Sequence, residues 1–238
     1  MVYMWSIFDL CVLCGSRTAG TGLCRNCMQQ LPRNPVHCRR CALPLAIPGQ
    51  LCADCQRHPP PFEKAHAPFL YRWPVDELVT TFKHGLRLYA GRILADMVLD
   101  ALPSPPPTDL IVPVPLHPER LAERGFNQAG ELATYLSGAT GRPVDIGLLR
   151  RVHDGVHQQG SGRGQRVRNV KGVFRVTGRH LPRRVLLVDD VMTTGATLRE
   201  ASRALRTAGI GEVHVLAVAR VADSAAAHRD RTQPAAEC

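Results

Sequence analysis

The sequence predicts an α/β domain with a mostly parallel sheet and helices on both of its faces, preceded by a small cysteine-rich domain. Two observations carry this prediction. Eight of the nine cysteines form four Cys-x-x-Cys pairs near the N-terminus. Beyond them, short apolar runs alternate with segments whose apolar residues recur at helical spacing, and this alternation is typical of a parallel sheet covered by helices.

The composition fits a globular protein with an anionic partner. Hydrophobic residues make up 45% of the chain, and the formal net charge of +10 favours nucleic acid, polyphosphate ligands or acidic membrane surfaces. Aromatic residues are sparse, at 5%, which does not indicate a surface of stacked rings. No apolar run is long enough to predict a membrane span. The short apolar start runs directly into Cys11 and does not resemble a signal peptide, so we expect a cytoplasmic protein.

The four cysteine pairs predict two metal sites. In a cytoplasmic protein such pairs favour metal over disulfides, and two pairs together supply the four sulfurs of a tetrahedral zinc site. Sequential pairing is the simplest arrangement, and an interleaved one stays open. A redox role would not need four copies, and ferredoxin-type clusters space their cysteines more tightly. We therefore expect two structural zinc sites that fold a segment too small to fold alone. The ligands would be Cys11, Cys14, Cys24, Cys27, Cys38, Cys41, Cys52 and Cys55.

The elements of the α/β domain follow from the spacing of apolar residues. The segment 58–61, His-Pro-Pro-Pro, predicts a stiff linker, and the proline-rich segment 103–107 predicts a break after two helices. The predicted elements, in chain order, are a strand at 69–73, a helix at 75–82 ended by Gly85, a helix at 93–101, a strand at 110–114, a helix from about 127 to 137, strands near Val144 and Val173, a strand at 185–188, a helix at 198–208 ended by Gly209, and a strand at 213–219.

The segment 185–197, VLLVDDVMTTGAT, predicts a site for a sugar phosphate. An apolar strand ends in Asp189 and Asp190, and a Thr- and Gly-containing turn then opens a helix. Backbone N–H groups, hydroxyls and the helix dipole at such a turn suit a phosphate, and Gly195 allows close approach. Carboxylates at the end of a parallel strand can bind ribose hydroxyls or help to hold magnesium. A capped helix after a buried strand would explain the threonines but not the two acids.

This segment resembles the ribose-phosphate signature of the type I phosphoribosyltransferases. The resemblance implies that the ligand is phosphoribosyl pyrophosphate, bound with Mg²⁺. It also implies that the turn holds the 5-phosphate and that the acids hold the ribose. The implied residues are Asp189, Asp190, Thr193, Thr194, Gly195, Ala196 and Thr197, with Asp189 and Asp190 the nearest candidates for a catalytic role.

Further segments resemble the ComF/GntX family of phosphoribosyltransferase-like proteins. The VPVPLH segment at 112–117, the arginines that follow it and the Phe-Lys-His motif at 82–84 are similar to that family's pyrophosphate-binding parts, and its N-terminal double zinc ribbon is matched too. Guanidinium groups suit phosphate oxygens. The resemblance implies a double zinc ribbon at 1–60, a phosphoribosyltransferase-like domain at 61–222 and a disordered tail at 223–238. It implies pyrophosphate contacts from Lys83, Arg120 and Arg124, and a flap that carries Arg163, Arg166 and Arg168.

The resemblance implies a protein that acts in DNA uptake during natural transformation, and the partners it implies are single-stranded DNA and other DNA-uptake proteins. Whether the ribbon or the arginine-rich flap would bind the DNA is left open. One alternative is an active phosphoribosyltransferase on a purine- or pyrimidine-like acceptor, which the sequence does not identify. Another is a regulator that senses phosphoribosyl pyrophosphate without turnover.

Overall fold

A computed structural model of the chain describes residues 9–83, 88–102, 104–152, 172–178 and 181–222. The flap arginines Arg163, Arg166 and Arg168, the predicted helix stop at Gly85 and the predicted tail at 223–238 lie outside these residues. No helix among the described residues is long and apolar enough to cross a bilayer.

The main sheet is parallel throughout and has its last strand near the middle. Strands β1 (Lys64–His66) and β2 (Phe69–Leu70) both pair with β7 (Glu212–Arg220). Strand β7 pairs with β6 (Arg184–Met192), and β6 pairs with β3 (Leu110–Pro113). The predicted parallel sheet is therefore confirmed.

Helices cover both faces of this sheet, as predicted. Because side chains alternate along a strand, β6 sends Leu186 and Val188 to one face and Val185 and Leu187 to the other. The first face packs against three helices and the second against one, which forms two separate apolar cores. On the first face lie α3 (Val75–Lys83), α4 (Leu88–Ala101) and α6 (Gln128–Thr140); on the second lies α7 (Ala196–Thr207), and a short helix α5 (Pro118–Arg124) follows β3.

A separate two-stranded antiparallel ribbon joins β4 (Leu149–Arg151) to β5 (Phe174–Val176). The strand predicted near Val173 is β5. The segment near Val144 forms a single parallel bridge to Ile111 of β3 rather than a strand. The inward side of the ribbon packs against α7.

The cysteine-rich segment is embedded in the two cores. Its short helices α1 (Arg25–Gln29) and α2 (Ala53–Arg57) begin after Cys24 and Cys52, whose sulfurs accept hydrogen bonds from backbone N–H groups three residues on. The first half of the segment packs with the core of α3 and α4, and the second half with the core of α7. Metal sites and sheet therefore share apolar surface.

Other elements also differ from the prediction. Strand β6 continues to Met192, so Asp189 and Asp190 lie inside it rather than at its end. The pairing of β6 with β7 explains this extension, since it runs to the pair Met192 and Arg220. Helix α5 and strands β1 and β4 were not predicted, because each is short and has too few apolar residues to show a period.

Candidate functional site

The eight paired cysteines form two clusters, and each cluster joins consecutive pairs. In each cluster the four sulfur atoms lie within 4.8 Å of one another. The sequential pairing is therefore confirmed, and the interleaved arrangement is excluded. We call the cluster of Cys11, Cys14, Cys24 and Cys27 the first cysteine site, and that of Cys38, Cys41, Cys52 and Cys55 the second cysteine site.

The sulfur spacing fits zinc. A tetrahedral ion with Zn–S bonds of about 2.3 Å places its sulfurs about 3.8 Å apart. The Sγ atoms of Cys14 and Cys24 are 3.7 Å apart, and those of Cys41 and Cys52 are 3.6 Å apart. All four cysteines of the second site are buried, whereas Cys14 of the first site is exposed. A set of four thiols leaves no open position for a substrate, so these are two structural zinc-binding sites.

The crevice between β3 and β6 lies at a topological switch point. Strand β3 leads into α6 on one face of the sheet, and β6 leads into α7 on the other. The two connections therefore run to opposite faces of the sheet from the carboxyl ends of these neighbouring parallel strands. Open α/β sheets bind their ligands in such crevices. The predicted phosphate turn follows β6 there, and the predicted pyrophosphate segment follows β3.

Asp190 and Lys83 meet at this edge of the sheet. The Nζ atom of Lys83, at the end of α3, lies 2.8 Å from Oδ2 of Asp190, and the two side chains are 22% and 16% exposed. Asp189 stands next to this pair, and its Oδ1 accepts a hydrogen bond from the N–H of Asp190. Burial, and then the neighbouring Asp190 carboxylate, raise the pKa of Asp189 well above its ordinary value. The site thus holds one carboxylate paired with a lysine and a second carboxyl group whose pKa is raised.

The turn after β6 has the geometry of an anion cradle. Gly195 sits at the N-cap of α7 with a φ of +77°, a left-handed conformation that favours glycine, and it offers no side-chain cap. A Cβ atom there would lie 2.7 Å from Cε of Met192. The hydroxyl of Thr194 accepts a hydrogen bond from the N–H of Ala196 at 3.3 Å. The start of this helix of 12 residues therefore faces the crevice with its positive dipole end.

Arg220 stabilises this turn through hydrogen bonds, and the sequence analysis did not predict it. The side chain is buried, and its guanidinium group donates to the carbonyl oxygens of Met192 at 3.0 Å and of Thr193. It also donates to the carbonyl of Val221 at 2.8 Å and, through Nε, to that of Cys41 at 3.2 Å. One buried cation therefore joins the phosphate turn to the second cysteine site. The available signal was an arginine directly after the apolar run at 215–219.

Arg199 makes a second connection between the same two parts. It lies in the first turn of α7 and donates to Oδ2 of Asp54 at 2.6 Å and to the carbonyl of His58 at 2.9 Å. Asp54 lies between the second-site ligands Cys52 and Cys55. The side chain of Arg199 is 20% exposed, so solvent screens this pair only in part. The helix that follows the phosphate turn is thus also fixed to the second cysteine site.

The predicted pyrophosphate segment is locked to the end of α3. Asn127 caps α6 and donates through Nδ2 to the carbonyl of Val114 at 3.1 Å, which fixes the loop after β3. The ring of Phe126 lies 5.4 Å from that of Phe82, the neighbour of Lys83.

The two predicted pyrophosphate arginines lie in the same segment. Arg124 donates to Oε1 of Gln128 at 3.1 Å. Arg120 is exposed on α5. The structure therefore places Lys83, Asp190 and the loop around Arg124 at one edge of the sheet.

Two family models match this chain. The phosphoribosyl transferase domain matches residues 121–234, and the double zinc ribbon domain matches residues 9–56. Competence protein F from Haemophilus influenzae is 34% identical over 229 residues, which cover 91% of this chain and 100% of that protein.

The chain belongs to the competence protein F family.

The predicted resemblance to the ComF/GntX family is thereby confirmed. Two other relatives carry related names. DNA utilization protein YhgH from Salmonella typhi is 32% identical over 232 residues, covering 91% of this chain and 99% of that protein. Competence protein ComFC from Streptococcus pneumoniae is 26% identical over 152 residues, covering 64% and 66%. In this member of the competence protein F family, the phosphoribosyltransferase domain and the zinc ribbon meet at Arg220 and Arg199.

Proposed function

We propose that the chain binds phosphoribosyl pyrophosphate together with Mg²⁺ in the crevice above β3 and β6, and that it acts on single-stranded DNA during DNA uptake. The observation that carries the ligand assignment is the pairing of two acids with an anion cradle at a topological switch point. The names of the relatives support the biological setting.

Each part of the ligand has a counterpart in the site. The 5-phosphate would lie in the turn of residues 193–197, where N–H groups and hydroxyls converge on the N-terminus of α7. The ribose hydroxyls would donate to the carboxylates of Asp189 and Asp190. Mg²⁺ would neutralise the pyrophosphate and be held near the same acids through water. Lys83, Arg120 and Arg124 would contact the pyrophosphate.

Lys83 would change partners when the ligand enters. In the ligand-free site it neutralises Asp190 at 2.8 Å. A magnesium ion near Asp190 would weaken that pair, because two cations then compete for one carboxylate. The freed ammonium group would turn to the nearby pyrophosphate. Lys83 would thus pair with Asp190 when no ligand is bound and with the pyrophosphate when the ligand is bound.

The test of the ligand assignment is a calorimetric titration with phosphoribosyl pyrophosphate and Mg²⁺. We expect the Asp189→Asn/Asp190→Asn variant to bind at least about 100-fold more weakly, since it loses two charge-assisted hydrogen bonds of about 1.5–3 kcal/mol each. The control is Asp109→Asn, because Asp109 lies at the amino end of β3 and pairs with Arg184. Wild-type protein that binds no ligand, or a double variant that binds normally, would contradict the assignment. Release of pyrophosphate with added purine or pyrimidine bases would identify turnover.

The affinity for the magnesium complex should depend on pH. Because the pKa of Asp189 is raised, its carboxyl group keeps a proton at pH values where an ordinary aspartate is ionised. We expect affinity to rise with pH as that proton is lost, since the ionised form attracts the metal. Stability of the ligand-free protein should change in the opposite direction: the unfolded state ionises first, so raising the pH from about 4 through the raised pKa lowers the free energy of unfolding. Titrations at several pH values measure how affinity depends on pH, and thermal melts at the same pH values measure how stability depends on it. In the Asp189→Asn variant both dependences should be weaker.

A further inference from the structure

The outward face of the β4–β5 ribbon carries two arginines directly opposite each other. In the antiparallel register Arg150 faces Arg175, and both side chains are exposed. The neighbouring pairs, Leu149 with Val176 and Arg151 with Phe174, point to the other side. The two guanidinium groups therefore share one open face.

Among the residues that the structure describes, no acidic side chain pairs with these two arginines. Within the part of the chain that the structure describes, neither Arg150 nor Arg175 forms an ion pair or a side-chain hydrogen bond. Like charges placed directly opposite on a strand pair destabilise it. The arrangement costs the ribbon stability in the absence of a ligand, and a bound anion would remove that cost.

The ribbon that carries the pair is well fixed. On its inward side Leu149 and Phe174 are buried against the core of α7, and the Arg151 guanidinium lies 5.9 Å from the centre of the Phe174 ring. The N–H of Thr177 donates to the carbonyl of Leu148 at 2.8 Å, and the Thr177 hydroxyl donates to that of Gly147 at 2.6 Å. The two outward arginines are therefore held at a set separation rather than on a loose loop.

We propose that this face binds the phosphate backbone of single-stranded DNA through Arg150 and Arg175. The proposal rests on the DNA-binding part of the proposed function and assigns it a surface. Two guanidinium forks side by side can bind neighbouring phosphates of one strand. Both side chains are exposed, which suits a passing polymer more than a small enclosed anion. The pair itself has no aromatic member, so contact would be with the backbone and independent of sequence.

The test is the salt dependence of binding to a fluorescein-labelled oligo-dT, followed by anisotropy on the full chain. Each phosphate contact with a single strand contributes about −0.7 to the slope of log K against log salt. The Arg150→Gln/Arg175→Gln variant should bind more weakly, and its slope should be shallower by about 1.4. Arg150→Lys/Arg175→Lys should keep the slope, because it keeps both charges.

The matched control removes two exposed arginines elsewhere. Arg142 and Arg183 lie near the amino ends of the sheet strands, so Arg142→Gln/Arg183→Gln lowers the net charge equally but should leave the slope unchanged. An unchanged slope in the Arg150/Arg175 variant would overturn this surface assignment and leave the DNA part of the proposed function standing. An equal loss of affinity in both double variants would do the same. Wild-type protein that does not bind oligo-dT, or that binds anionic vesicles of phosphatidylglycerol instead, would overturn it together with the DNA part of the proposed function. Normal titration with phosphoribosyl pyrophosphate would show that the variants are folded.

Discussion

Cys38→Ala is expected to remove one of two zinc ions and to abolish binding of phosphoribosyl pyrophosphate. Cys38 is fully buried, and its sulfur accepts a hydrogen bond from the N–H of Cys52. The binding free energy of a structural zinc is about 10–16 kcal/mol in small domains and acts as folding energy. Its loss would release Cys41, whose carbonyl holds Arg220, and Asp54, which holds Arg199. The phosphate turn would then lose both of its supports.

Cys14→Ala is the matched comparison. Cys14 belongs to the first cysteine site and is exposed. The buried ligands of that site, Cys11 and Cys27, pack in the core on the side of the sheet opposite to α7. This variant should also lose one zinc but keep its affinity for phosphoribosyl pyrophosphate within about tenfold. Zinc content by mass spectrometry and ligand affinity by calorimetry give the two readouts. Equal loss of affinity in both variants would mean that the zinc sites act through general stability and not through the phosphate turn.

Arg220→Met should lower stability strongly while keeping every metal ligand. The variant removes the donor that now serves four carbonyl oxygens, and the contacts with Cys41 and Met192 are buried. An unsatisfied buried polar group costs about 1–3 kcal/mol, so we expect a loss of several kcal/mol in the free energy of unfolding by denaturant titration. Because two of the carbonyls belong to Met192 and Thr193, ligand affinity should fall too. The turn would no longer be held in shape for the 5-phosphate.

The control for Arg220 is Arg184→Met. Arg184 pairs with Asp109 at the surface, and its side chain is 40% exposed, so little stability should be lost. Arg220→Lys refines the comparison, since it keeps the charge but cannot reach all four carbonyls. If Arg220→Lys matched wild type in affinity and stability, charge alone would be sufficient and the hydrogen-bonding fork would have no special role.

The phosphate turn and the metal ligands could be predicted because each is continuous in sequence. Four Cys-x-x-Cys pairs and the segment 185–197 each lie within a few residues of one another. The structure confirms the two cysteine clusters and the helix that begins after the turn. The pair of Lys83 and Asp190 joins residues far apart in the chain. The resemblance to a family assigned Lys83 to the site, but no spacing rule could give its contact with Asp190.

The long-range contacts around the site could not be predicted from the sequence. Arg220 and Cys41 lie at opposite ends of the chain, and their contact depends on the order of strands in the sheet. The opposition of Arg150 and Arg175 depends on the register of β4 with β5, and a slip of one residue would send those side chains to the other face. The extension of β6 through Asp190 also follows from pairing with β7 and not from local apolar pattern.

The position of β7 has a consequence for how the chain folds as it leaves the ribosome. Among the described strands β7 is the last in sequence, and it is the strand through which β1 and β2 pair with β6 and β3. Both cysteine sites can collect their metal early in synthesis, whereas the edge of β1 and β2 that pairs with β7 stays open until residue 220 has emerged. Nascent chains should therefore hold an exposed strand edge for most of translation, which favours association with chaperones or with other nascent chains. The same order makes the final strand the step that completes the ligand site, because it delivers Arg220 beneath the phosphate turn.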